Sequence, residues 1–206
     1  MGHINLNLKT PPEGEPISVD LMRVHLHMDA TDEDAYLDEI VIPSARQSVE
    51  EALGQGLITQ TWEWYWDGGW PGTGRLVFPM GPVLSVNSVK YLDVDGAEQT
   101  FDSNNYTVAV KSDRQRLWLN ESVTWPDVDT QRPEVAWVDF QVGYGPDKDD
   151  VPAKIRHLIL LMGEHIYTHR GPVLTGTSAI EIPKTLDYLI EQCRTRDYAP
   201  TATTPW

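Results

Sequence analysis

His165 and His169 stand four residues apart beside Glu164, and theirs is the spacing in this sequence that most resembles a metal-ligand pair. Residues at i and i+4 share a helix face, so two imidazoles could meet one zinc ion. A third protein ligand is needed, however, and none is spaced to supply it. The His-Glu-x-x-His order of zinc peptidases does not occur. A polar helix face accounts for the pair, and no metal or cofactor is assigned. His25 and His27 are two apart, which on a helix points them in different directions. Cys193 falls on the apolar stripe of a C-terminal helical pattern with no histidine and acid couple to activate it, so it reads as a packing residue; a lone cysteine also excludes an internal disulfide. No Gly-x-Ser-x-Gly elbow, phosphate loop or dinucleotide fingerprint is present. The carboxylates are spread through turns and helix starts, where capping and solvation explain them, so no pair for glycoside hydrolysis is assigned. No catalytic residue follows, and the chain is read as non-enzymatic.

What remains is an aromatic constellation. In LITQTWEWYWDGGWPG, Trp62, Trp64 and Trp66 occupy alternate positions, with Tyr65 and Trp70 close by. Period two places the three indoles on one face of a strand and Thr61, Glu63 and Tyr65 on the other. Each buried Trp covers roughly 150–250 Å², about 4–6 kcal/mol as an upper estimate. Such a face fills a core, meets a neighbouring subunit, or stacks on a sugar or base. Trp62, Trp64, Trp66 and Trp70 are read as a subunit-interface set backed by the β core.

The 206 residues carry 16 Lys and Arg against 31 Asp and Glu, a net charge of −15, so a duplex-gripping protein, which must neutralise phosphates, is disfavoured. The N-terminal MGHINLNLKTPPEGEP lacks the apolar core of a signal peptide, and the longest apolar run, Leu158 to Met162, is far too short for a bilayer. The expectation is a soluble protein, cytoplasmic where it is made.

Residues 1–16, with Pro11, Pro12, Gly14 and Pro16, read as an extended N-terminal arm whose order needs a partner. Residues 17–56 form the first part of a helical bundle. There Ser18 caps a short helix with Leu21, Val24 and Met28 on one stripe and Leu26 beside it. A capping box at 31–34, in which Thr31 accepts from the Asp34 amide while Asp34 reaches back, opens a longer helix. Tyr36, Leu37, Ile40, Val41, Ala45, Val49 and Leu53 keep helical spacing up to Gly54, and Pro43 predicts a kink or break. Residues 57–146 are a β insertion of about six mostly antiparallel strands, a sandwich or partly open barrel, with turns at Asp95-Gly96 and Asn104-Asn105. In its last strand Ala136, Val138, Phe140 and Val142 make a fully apolar face. Residues 147–196 complete the bundle. Pro152 starts a helix with Ile155, Leu158, Ile159, Met162 and Ile166 on a stripe, ended by Gly171-Pro172, and a last short helix carries Leu186, Leu189, Ile190 and Cys193. Residues 197–206 are an extended tail. The fold class is α+β, with the β-sheet insertion between the second and third main helices. The arm and the tail are expected to order only on assembly.

The order of these phrases carries a resemblance. GLITQTWE, FPMGPVLSVNSVKYLDVDG, NNYTV, VDFQVGYG and VPAKIRHLILLMGEHIYTHRG, following the acid-capped helix, together resemble the head-tail connector (adaptor, or head-completion) proteins of tailed bacteriophages over most of residues 17–195. The resemblance implies a virion structural protein of the neck, made in the host bacterial cytoplasm. It implies a homo-oligomeric ring, commonly a dodecamer, bound under the portal protein and offering a platform to a stopper or tail-completion protein. Genome DNA would pass through the lumen without sequence-specific binding, and an acidic lumen would let it slide. No membrane partner is implied. The last helix and tail are assigned to the portal through Leu186, Leu189, Ile190, Arg194, Arg196, Tyr198 and Trp206: one apolar stripe and a terminal Trp gain most by adding to another surface, and the arginines can pair with acids there. The alternative is a carbohydrate-binding or adhesin-like β module using the tryptophans as a sugar platform, and a metal-dependent hydrolase is a third reading.

Overall fold

The computed structural model describes residues 5–72, 74–111, 115–169 and 184–194. The chain divides into two compact units, each built from separated stretches of sequence. The N-terminal segment up to Glu13 joins Thr59–Tyr144 in a β unit, and Gly14–Ile58 joins the segment from Gly145 onward in a helical unit. The architecture is α+β, and neither of its two antiparallel sheets closes into a barrel.

The β unit holds β1 (Asn5–Thr10), β2 (Gln60–Trp66), β3 (Arg75–Val77), β4 (Val83–Leu92), β5 (Glu98–Phe101), β6 (Tyr106–Ala109), β7 (Arg116–Leu119) and β8 (Ala136–Val142). One sheet has the order β1-β2-β8-β4-β5 and the other β3-β7-β6. Strand β8 is central, and its apolar alternation is buried as expected: Ala136, Val138, Phe140 and Val142 are fully enclosed. Leu76, Phe78 and Leu117 reach the same core from the second sheet, with the Phe78 and Phe140 rings 5.1 Å apart. Gln115, itself buried, donates to the carbonyls of Val83 and Val110 and accepts from the Val83 amide. The β4–β5 hairpin turns at the expected glycine: Gly96 has φ +83, and the Arg132 guanidinium lies where a Cβ would project. The Asn104-Asn105 turn is a single 3₁₀ turn capped by the Asp102 carboxylate.

The N-terminal arm finds a partner within the chain. Asn5–Thr10 form β1, the edge strand antiparallel to β2, with Leu6 opposite Trp64 and Leu8 opposite Trp62. The expectation that the whole arm orders only on assembly therefore does not hold for this stretch, because alternating Leu6 and Leu8 extend the indole face by one strand.

In the helical unit, α1 (Val19–His25) starts at Ser18, whose hydroxyl accepts from the Leu21 amide at 3.3 Å. Its buried residue is Met22; Leu21 and Val24, assigned to the inward stripe, are 40% and 71% exposed. The helix is only seven residues long, too short for periodicity to select one stripe, and His27 at φ +56 ends it before Met28 can extend the pattern. Met22 is drawn in by Gly163, since the Met22 methyl carbon occupies the space a Cβ there would need. The Thr31–Asp34 capping box does not form either. The Asp34 amide donates to the Thr31 backbone carbonyl, and the Asp34 carboxylate pairs with Arg23 at 3.0 Å. The ion pair with Arg23 draws away the carboxylate that the box required.

Pro43 leaves its mark as a change of helix type. After the turn α2 (Asp34–Tyr36), residues Leu37–Val41 form a π turn, and α3 (Ile42–Leu53) then begins with Pro43 in its first turn. Proline has no N–H and its ring crowds the carbonyl four residues back, so a wider turn upstream accommodates it. Leu37, Val41, Ala45, Val49 and Leu53 remain one buried stripe, and Gly54 caps the helix in the left-handed conformation, φ +66. Arg46, 7% exposed, is satisfied by Glu15 at 2.9 Å and Glu50 at 2.6 Å. Burial raises the Glu15 carboxyl pKa, against the pull of Arg46. The Asp147–Asp150 capping box precedes α4 (Ala153–Thr168), which buries Ile155, Leu158, Ile159 and Met162 as expected and leaves Ile166 half-buried. Helix α4 packs on α3 and α1, and α5 (Lys184–Cys193) packs on α4 and α3.

Candidate functional site

The tryptophan ladder is set by the β2–β8 register, which places Trp62 opposite Phe140, Trp64 opposite Val138 and Trp66 opposite Ala136. All three therefore share the apolar face of β8. Trp64 is 9% exposed, with its ring 4.3 Å from Trp66 and 6.4 Å from Phe78. Trp70 stacks on Trp125 at 4.2 Å and 8°, and donates from Nε1 to the Pro126 carbonyl at 3.1 Å. Trp62, Trp66 and Trp70 are half-buried against the β-unit core. The β-unit core thus takes Trp64 and part of each of Trp62, Trp66 and Trp70. A sugar platform needs an open ring face, which the buried Trp64 does not offer, and the carbohydrate reading is not favoured.

The opposite face of the same sheet carries a charged cluster that sequence reasoning missed. Register places Glu63 opposite Asp139, two carboxylates side by side, and Asp139 is 7% exposed. Lys9 of β1 lies over both, 3.0 Å from Glu63 and 2.5 Å from Asp139. Asn87 donates to Asp139 at 2.8 Å, and Tyr65 donates to Glu63 at 2.8 Å. Partial burial would raise the Glu63 pKa, but hydrogen bonds from Tyr65, Lys9 and Asn7 outweigh it and hold it below the usual carboxylate value. Hydrogen bonds to Asp139 and Glu63 raise the Lys9 pKa above the ordinary lysine value. Burial first, then the Glu63 contact, pushes Tyr65 up to about 12. The only sequence signal was a lone lysine in a strand-like NLNLKT.

These shifts define a pH window for the attachment of β1. Glu63 titrates lower folded than unfolded, so its contribution is present above the ordinary carboxylate range and is lost as pH falls through the depressed value. Lys9 titrates higher folded, so its contribution holds below the ordinary lysine range and is lost only as pH rises through the raised value. Hydrogen exchange of residues 5–10, corrected for intrinsic rates, is expected to accelerate as pH falls below the carboxylate range. Lys9→Ala should accelerate it by up to about tenfold at neutral pH. Unchanged protection of these amides in Lys9→Ala would show that the strand is held by its backbone ladder alone.

Helix α5 turns its stripe toward its own bundle. Leu186 and Ile190 are 2% and 7% exposed, Leu189 and Cys193 are half-buried, and Arg194 Nε donates to the Ala52 carbonyl at the end of α3 at 3.0 Å. The exposed aromatic of this helix is Tyr188. Arg196, Tyr198 and Trp206, with the Gly171-Pro172 helix stop and the 197–206 tail, lie outside the described residues. The His165 and His169 rings do come together, with centroids 4.6 Å apart. His25 Nε2 lies 3.2 Å from Glu164, and His169 Nδ1 lies 2.9 Å from the His165 carbonyl. No group of three metal-ligating side chains occurs among the described residues. Burial raises the Cys193 thiol pKa, although nearby Lys154 favours the thiolate.

A second missed feature is on β7. Trp118 is half exposed, and the guanidinium carbons of Arg75 and Arg116 lie 5.7 and 5.6 Å from its ring centre. The signal was in the strand itself: in Arg-Leu-Trp-Leu the leucines take the inner face and leave the Trp beside the Arg on the outer one.

No family model matches the chain, and no curated relative matches it by sequence. Its fold is similar to solved particle structures. A chain in the neck of the empty gene transfer agent (GTA) particle, computed with C6 symmetry, is 22% identical with a TM-score of 0.75, over 92% of this chain and 95% of that one. A chain of the native GTA virion is 21% identical with a TM-score of 0.74, over 92% and 94%. A chain in the neck of the native GTA particle, computed with C12 symmetry, is 19% identical with a TM-score of 0.67, over 92% and 94%. The fold is thus one also found in chains of particle necks, and the likeness spans both the β and the helical unit.

Proposed function

We propose that this chain is a structural protein of the neck of a phage-like particle, a head-tail connector that assembles as a ring. The observation that carries this reading is the fold likeness to neck chains over 92% of the sequence. The charge of −15 supports it physically, because an acidic wall repels phosphates and lets DNA pass, whereas a basic one would hold it. In this reading the ring, of twelve copies in the connector family that the sequence resembles, sits beneath the portal protein, extends the DNA channel and receives a stopper or tail-completion protein. Its work is structural, not enzymatic.

The portal contact is proposed for the outward side of α5 at Tyr188 together with Arg196, Tyr198 and Trp206. The α5 stripe itself is occupied by the bundle, so a chain lacking residues 195–206 tests this contact without opening the α3–α4 surface. That variant is expected to fold and to lose co-sedimentation with the portal. Retained co-sedimentation would move the contact elsewhere.

The reading as a whole is tested on particles. Disrupting the gene should give DNA-filled heads without tails, and antibody against the chain should label intact particles at the head-tail junction. Normal tailed particles from the disrupted strain, or the absence of the chain from purified particles, would overturn it.

A further inference from the structure

Strand β1 is held in its sheet without a turn. Its partner β2 begins only after the chain has run through Gly14–Ile58 in the helical unit, so no hairpin decides which β2 edge it takes, and the pairing carries the closure cost of a long loop. What holds it is recognition by side chains. Leu6 and Leu8 extend the face of Trp64 and Trp62, and Lys9 lies between Glu63 and Asp139. These receiving groups all lie on β2 and β8, so the same site exists on each copy of the chain. Asn5 and Asn7 to Thr10 are exposed even when paired, and Leu6 is half-buried, so the strand parts from its sheet at small cost in buried surface. Thr10 is followed by Pro11, Pro12 and Glu13 before the helical unit starts at Gly14, and consecutive prolines favour a stiff, extended link over one that doubles back. Residues 1–12 also contain one lysine and no acid, in a chain of net charge −15. Between two such chains, which repel, a cationic arm meeting a carboxylate pair is an attractive contact.

We infer that β1 is an exchanged arm: in the assembled ring it pairs with β2 of the adjacent copy and sets its Lys9 between that copy's Glu63 and Asp139. Such an exchange keeps every contact of β1 and adds a link between copies, which makes it a low-cost route to assembly. In the free chain the edge within reach is its own, the pairing described above. In a ring the neighbouring edge is present at high effective concentration, and the stiff proline link favours the arm that reaches outward. Because the strand given and the edge received are different parts of the chain, the contact is head-to-tail, the kind that repeats around a closed ring. The inference deepens the ring reading above and rests on it.

Disulfide trapping in particles tests the exchange. Asn7 stands opposite Glu63 in the β1–β2 register, with Asn7 Nδ2 3.4 Å from the Glu63 carboxylate, and facing residues of antiparallel strands are close enough for a disulfide. Asn7→Cys and Glu63→Cys are placed in separate chains, each also carrying Cys193→Ser, and the two chains together replace the wild type in cells that produce particles. A disulfide between the two positions then forms only between copies. After oxidation, about half of the chains in purified particles should migrate at twice the monomer mass, because about one interface in four of a randomly mixed head-to-tail ring brings the two cysteines together. The pair Thr10→Cys and Thr61→Cys, which face each other in the same register, leaves Lys9, Glu63 and Asp139 in place and should give the same shift. Particles that contain both chains yet release only monomers with both cysteine pairs would overturn the exchange while leaving the neck reading in place. Particles from which the wild-type chain is itself absent would remove the neck reading, and the exchange with it.

Discussion

Trp64→Ala is expected to destabilise the β unit by about 3–5 kcal/mol in the free, unassembled chain. The indole is 9% exposed, lies 4.3 Å from Trp66 and 6.4 Å from Phe78, and sits across from the fully buried Val138. Removing it takes away the transfer energy of a large side chain and leaves a void that the flanking rings cannot fill, because Trp66 and Phe78 are each held by other partners: Trp70 for the first and Phe140 for the second. For a unit of this size, a loss of that order lowers the melting temperature by roughly 4–8 °C per kcal/mol. Trp118→Ala should change it by no more than about 0.5 kcal/mol, since its ring is half in solvent. Calorimetry of the two variants separates a core indole from a surface one. A Trp64→Ala chain that melts like wild type, and fails only when it must assemble, would show that Trp64 is an interface residue and not a core one.

Met162→Asp is expected to unfold the helical unit. Met162 is 8% exposed, on the α4 stripe with Leu158 and Ile159, both fully buried, and on the side of α4 where Gly163 receives Met22. A carboxylate there exchanges an apolar contact for an enclosed charge. No ion pair or hydrogen bond of a basic side chain is found at this position among the described residues to compensate it. Such a charge either costs several kcal/mol or forces the carboxyl to stay protonated, so the variant should regain helix as pH is lowered through the raised pKa. Loss of the helical circular dichroism signal at neutral pH, with partial recovery in mild acid, is the expected pattern. A fully helical variant with an unchanged melt would mean that the α4 stripe faces solvent.

The strand and helix patterns were legible wherever a period ran long enough to select one face. Alternation in β8 identified Ala136, Val138, Phe140 and Val142 as the buried side, and all four are enclosed. The α3 and α4 stripes, the Ser18 and Gly54 caps and the hairpin glycine Gly96 could be read from spacing and residue type because each depends on a few neighbours in sequence. Pro43 announced an irregularity, although not that it would be a π turn ending two residues upstream. In the seven-residue α1, by contrast, the stripe assigned from spacing, with Leu21 and Val24, lies exposed. The choice of Met22 over Leu21 and Val24 rests on Gly163, more than a hundred residues away along the chain.

The candidate site shows the same division. Sequence by itself determined that three indoles share one strand face and that the chain is strongly acidic. What covers those indoles was decided only by the tertiary structure: the core of the β unit takes Trp64, while Trp118, inconspicuous in sequence, is left outside with two arginines against its ring. The fold also turned the α5 stripe inward and brought Lys9 to Asp139 across 130 residues. The physical reason is one of range. Backbone period and capping are local and dictate which residues share a face, whereas burial and charge neutralisation depend on which distant segment arrives opposite that face.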